Sequence, residues 1–157
     1  MLKKLFAIIP LLCLSVGLFA EGITVDGGFA GLGPELNAHT RNGIATGGQA
    51  YVGLDFGPEY SAGVKIGYFY DIESVIAIEP VAFFRYYLPW GVPGLFAQAE
   101  AGCVIYVEYG KPYPAFSGGL SAGWRFTLVK DWFLEPVIRA GYPYAWGVGV
   151  MIGFQWK

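Results

Sequence analysis

The chain has 157 residues, a formal net charge of −2 and only 14% charged side chains, against 55% hydrophobic and 18% aromatic residues. Soluble domains carry roughly 25% charged residues, so this composition excludes an ordinary water-exposed surface unless the core is unusually large. The near-neutral charge and the absence of any Lys/Arg run give no footing to a nucleic-acid partner.

The chain opens with Lys3 and Lys4, an apolar run over residues 5–20, and then Glu21. This is the pattern of a secretory signal, with cleavage expected after Ala20. Pro10 and Ser15 interrupt the run, which falls short of the about 20 apolar residues of a spanning helix. Cys13 follows Leu11 and Leu12 rather than a small residue, which argues against a lipid anchor. Residues 21–157 then form one domain with a single cysteine, Cys103, so no disulfide within the chain can staple it.

The first expected strand, residues 23–32, is Gly-rich and weakly patterned, and residues 32–45 read as the longest polar loop. The second, residues 46–56, sets Ala50, Val52, Leu54 and Phe56 on one face, with Gln49, Tyr51 and Asp55 on the other. Gly57-Pro58 turns the chain. The third, residues 60–70, alternates Tyr60, Ala62, Val64, Ile66, Tyr68 and Tyr70 with Ser61, Lys65 and Phe69. The fourth, residues 75–88, places Ile76, Ile78, Ala82 and Phe84 opposite Glu79 and Arg85, and residues 89–93 break it. The fifth, residues 95–109, sets alanines, Cys103 and Ile105 against Gln98, Glu100 and Glu108. The sixth, residues 116–128, opposes Leu120, Trp124 and Phe126 to Ser117, Ser121 and Arg125. The seventh, residues 132–142, opposes Trp132, Leu134 and Ile138 to Glu135 and Arg139. The last, residues 146–156, reads Trp146, Val148, Val150, Ile152, Phe154 and Trp156 at every second position.

Eight alternating strands joined by short turns predict an all-β, eight-stranded antiparallel up-and-down barrel. Its apolar face is expected to meet lipid and its polar face the lumen, for three reasons. Glycines crowd the charged face, and an eight-stranded barrel has just enough interior for its side chains. Aromatics gather at strand ends, where amphipathic rings settle at membrane interfaces. A signal without a helical span fits export to a membrane that barrels cross. Pro80 and Pro136 each remove a ladder donor, and bulges or strand ends are expected there.

The signal segment, the alternating strands, the repeated Glu-Pro-Val at residues 79–81 and 135–137, and the closing WGVGVMIGFQW resemble small outer-membrane β-barrel proteins of the OmpA/OmpX/OmpW type. The resemblance implies a monomer in the cell outer membrane, in contact with its lipid and with its termini in the periplasm. It also implies recognition by the outer-membrane assembly machinery through the C-terminal strand. The short connections argue against a loop-built receptor or adhesin.

Lys65, Glu79, Arg85, Glu100, Arg125, Glu135 and Arg139 are expected inside as an ion network, since buried charges must be paired. Hairpin register places Arg125 opposite Glu135, Lys65 near Glu79, and Arg85 near Glu100, with Glu100 also within reach of Arg125. Two aromatic girdles are expected: Tyr60, Trp90, Trp132 and Trp156 at one end, and Tyr68, Tyr70, Tyr109, Tyr142, Tyr144 and Trp146 at the other. The sole histidine, His39, has no nearby serine and reads as a solvated loop residue, so no catalytic residue is expected. One His and one lipid-facing Cys make no metal site, and no cofactor is expected. The network is expected to plug the barrel. The alternatives are a narrow channel for small or apolar molecules and a secreted soluble barrel binding a hydrophobic ligand.

Overall fold

The structure, a computed structural model, describes residues 24–39, 43–71, 75–108 and 110–157. The expected signal segment and Tyr109 lie outside the described residues. The strands are β1 (Gly27–His39), β2 (Gly43–Phe56), β3 (Tyr60–Asp71), β4 (Ile76–Tyr87), β5 (Leu95–Glu108), β6 (Lys111–Trp124), β7 (Phe126–Thr127), β8 (Trp132–Tyr142) and β9 (Tyr144–Trp156). Apart from β6 and β7, sequential neighbours pair antiparallel, β1 also pairs with β9, and β6 pairs with β8, so the sheet closes. β6 and β7 are one wall strand interrupted at Arg125, whose amide donates to the Gly94 carbonyl instead. The wall therefore has the expected eight strands in up-and-down order.

The first strand and the polar loop after it require correction. β1 runs to His39 and β2 begins at Gly43, so most of residues 32–45 belongs to the wall. Glu35 and Asn37 point inward and are buried, while Leu32 is exposed on the outer face. The alternation is present, but its inward members are polar and Pro34 interrupts the β1–β9 ladder, so it looks like a loop. His39 is correspondingly no loop residue: it lies on β1, half-buried, with Nε2 2.8 Å from the Tyr106 hydroxyl.

Neither Pro80 nor Pro136 makes a bulge. The β4–β5 ladder lapses at Glu79 and Pro80 and resumes in the same register. Pro136 lies where β6 gives way to β7, and it keeps its place opposite Val150. The register shift is elsewhere. Ala38 pairs with Trp146 but His39 pairs with Tyr144, which leaves Ala145 as an extra residue on β9. One extra residue flips every side chain beyond it to the other face. Tyr144, expected in a girdle, is therefore inside the barrel and 1% exposed.

The outer face is apolar throughout. Val52, Leu54, Val64, Ile66, Leu120, Ile138, Val148, Val150 and Ile152 are all exposed. Tyr60, Trp90, Trp132 and Trp156 are exposed at the end that carries the chain termini, and Tyr68, Tyr70, Tyr142 and Trp146 at the other. From Tyr60 to Tyr70, ten steps of about 3.3 Å on a strand tilted by roughly 40° rise about 25 Å, the height of a membrane barrel's apolar band.

Inside, large rings lie over glycines of neighbouring strands. A Cβ on Gly53 would meet the Phe29 ring, on Gly63 the Phe83 ring, on Gly123 the Phe96 ring and on Gly153 the Phe133 ring. Inward glycines thus make room chiefly for aromatic rings, and only secondarily for the long charged chains expected to fill that space. Two apolar clusters result: Phe29, Tyr51, Phe83, Phe133 and Met151 towards the terminus end, and Phe69, Val75, Ala77, Val104, Tyr106 and Tyr144 towards the other. Gly153→Val would drive Cβ into Phe133 and to 2.5 Å from the Ala30 carbonyl oxygen. It is expected to lower stability by about 1–3 kcal/mol, as overpacking does, read as a lower urea midpoint of the barrel in lipid vesicles.

β6 meets β8 only from Gly118 onward. Among the described residues, Lys111–Ser117 pairs with β5 alone.

Candidate functional site

The alternation of the strands aims a set of charged side chains into the lumen, and their burial decides how they pair. Four cations, Lys65, Arg85, Arg125 and Arg139, meet four carboxylates, Glu35, Glu79, Glu100 and Glu135. Seven of these were expected from the sequence. Glu35, hidden in the presumed loop, is the eighth, and it brings the count of opposite charges to equality.

The charges form two groups. Near the terminus end, Glu135 Oε1 accepts from Arg125 Nε at 2.5 Å and from Arg85 Nη1 at 2.8 Å, and Oε2 accepts from the Tyr51 hydroxyl at 2.5 Å. Both guanidiniums sit among rings. Arg85 lies 3.8 Å from the Phe96 centroid, and Arg125 lies 4.1 Å from both Phe29 and Phe133. Ring faces stabilise desolvated cations, which lets one carboxylate serve two arginines. In the second group, Arg139 grips Glu79 through two bonds of 2.7 and 2.9 Å and reaches Glu35 at 3.2 Å and Glu100 at 3.6 Å. Lys65 donates to Glu100 at 2.5 Å, Ser121 donates to Glu100 at 2.6 Å, and Ser117 donates to Glu79. Gln98 joins the groups: its Oε1 accepts from Arg85 Nε and its Nε2 donates to Glu100, both at 2.8 Å.

Arg125 and Glu135 meet as their hairpin register requires. The other expected pairs do not form. Lys65 takes Glu100 rather than Glu79, Arg85 takes Glu135 rather than Glu100, and Glu100 does not reach Arg125. Hairpin register reports only adjacent strands, whereas these side chains cross a curved lumen. The expected consequence of Arg125→Ala changes accordingly. Glu135 keeps Arg85 and Tyr51, so the loss is about 1–3 kcal/mol, the cost of removing one charged partner of several, measured as a urea midpoint shift.

Between the groups the lumen holds a cavity of about 10 Å³, lined by Glu35, Lys65, Arg85, Glu100 and Arg139 among others. That is room for about one water molecule. Among the described residues no group of three or more His, Cys, Asp or Glu is placed to hold a metal ion.

No family model matches the chain, and no curated protein matches it in sequence. Solved structures match its fold. Neisserial surface protein A aligns over 87% of this chain and 99% of its own, with a TM-score of 0.60 at 13% identity. The N-terminal β-barrel domain of Pseudomonas aeruginosa OprF aligns over 83% and 96%, with a TM-score of 0.52 at 16% identity. A de novo designed transmembrane β-barrel aligns over 85% and 99%, with a TM-score of 0.52 at 14% identity. The architecture is that of the small eight-stranded outer-membrane barrels.

Proposed function

We propose that this protein is an integral outer-membrane β-barrel whose sealed interior gives it a structural or interaction role, without catalysis. The observation that carries this reading is the combination of an apolar wall with a filled lumen, in which paired charges pack with two apolar clusters and the central cavity is about 10 Å³. In this reading residues 1–20 are the export signal, the exposed Tyr and Trp residues at both ends anchor the barrel at the interfaces, and the monomer is inserted through recognition of its C-terminal strand.

Purified protein reconstituted in planar bilayers is expected to show no steady conductance. A stable open-state current would replace this reading by the narrow channel. The third alternative, a soluble barrel with a hydrophobic ligand, requires the opposite disposition of side chains. Leu54, Ile66 and Val148 would have to face the lumen, yet each is more than 40% exposed on the outer face.

A further inference from the structure

The network of four cations and four glutamates is neutral as a whole but not in its parts. The terminus-end group holds two arginines against one carboxylate, and the other group holds one lysine and one arginine against three carboxylates. Asp55, also at this end, is held by Ser61 rather than by either arginine, so within the network one arginine has no carboxylate of its own. The shortfall falls on Arg125, whose side chain is only 8% exposed and whose Nη2 is buried without a hydrogen-bond partner. A buried donor left unpaired is costly, so Glu135 alone does not satisfy Arg125.

Arg125 also lines a second cavity, open at the mouth of the barrel and about 420 Å³ in volume. That is the size range of small-molecule sites. Tyr87, Gln155 and Lys157 share its lining, as do two carboxylates, Asp26 and Asp55. A bare anion would meet Arg125 and Lys157 but would be repelled by the aspartates. A molecule with a carboxylate at one end and an ammonium at the other satisfies both.

We propose that this vestibule binds a small carboxylate zwitterion, an amino acid or short peptide entering carboxylate first, with Arg125 as the floor and Asp26 and Asp55 beside its ammonium group. Arg125 already donates Nε to Glu135, so a ligand carboxylate would meet the remaining edge of a guanidinium that is always charged. The Asp55 carboxylate already accepts from Ser61 Oγ at 2.6 Å, which holds it in place on the wall.

The test is a titration of the ¹⁵N-labelled full barrel in micelles with alanylalanine, with its C-terminal amide and with acetate. The signals to follow are Arg125 Nε–H and the Trp156 indole N–H. Saturable shifts at millimolar alanylalanine, with the amide at least about tenfold weaker, are expected. Equal binding of the amide, or no saturable shift, would overturn the site. Acetate binding as tightly as the dipeptide would overturn the role given to the aspartates. Arg125→Gln is expected to abolish the shifts in protein that still shows a heat-dependent gel shift. Should that variant fail to fold, Asp26→Asn, at an exposed position outside the ion network, decides instead. It is expected to weaken the dipeptide several-fold and to strengthen acetate, and no change in either would overturn the proposal.

Discussion

Glu135→Ala is expected to cost the barrel about 3–5 kcal/mol, the range for removing one partner of a buried ion pair. The residue is fully buried and accepts from Arg85, Arg125 and Tyr51 at once. Its loss leaves two guanidiniums enclosed by Phe29, Phe96 and Phe133 with no carboxylate. Ring faces alone do not compensate, since a cation–π contact contributes about 0.5–2 kcal/mol. Urea unfolding in lipid vesicles measures the loss, and an unchanged midpoint would remove Glu135 as the hub. A triple variant, Glu135→Leu with Arg85→Met and Arg125→Leu, separates charge from packing. Replacing every member of a buried ion group by apolar residues is often neutral or stabilising, so this variant is expected to be more stable than Glu135→Ala alone.

Ile66→Arg is expected to cost about 2–4 kcal/mol, the range for a cation at the midplane of a barrel's lipid face. Ile66 is 54% exposed, midway between Tyr60 and Tyr70, with Ala50 and Pro80 as cross-strand neighbours. Leu128→Arg, at the turn before β8, is expected to cost about 0–1 kcal/mol because the interface tolerates charge. The gradient carries the information. On a water-exposed wall both substitutions would fall within about 0.5 kcal/mol of wild type, and equal small effects would contradict a lipid-facing exterior.

What the alternation could and could not reveal follows from its physical content. A period of two reports which face a residue takes, so the wall strands between Thr46 and Tyr87 and the outward set Leu54, Ile66 and Val148 are readable directly. It reports nothing about partners across the lumen. Arg85 on β4 finds Glu135 on β8, and Lys65 on β3 finds Glu100 on β5, choices made by barrel curvature and by the rings that fill intervening space. Arg125 and Glu135 were legible because they face each other across one hairpin. Glu35 was not, because polar inward residues and a proline in β1 resemble a loop. Tyr144 was lost for a different reason: a single extra residue, Ala145, reverses the faces beyond it, and a bulge without glycine leaves no mark in the composition.

Among the described residues, the margin of β6 from Lys111 to Ser117 has a neighbour on one side only. Pro112 and Pro114, two positions apart, point the same way along it and carry no amide hydrogen. Proline within a strand belongs where its missing donor faces no partner. A second copy arriving edge-on would find oxygens waiting and almost nothing to bond its own oxygens. The strand margin above the short β8–β9 hairpin is thereby a poor template for a foreign strand.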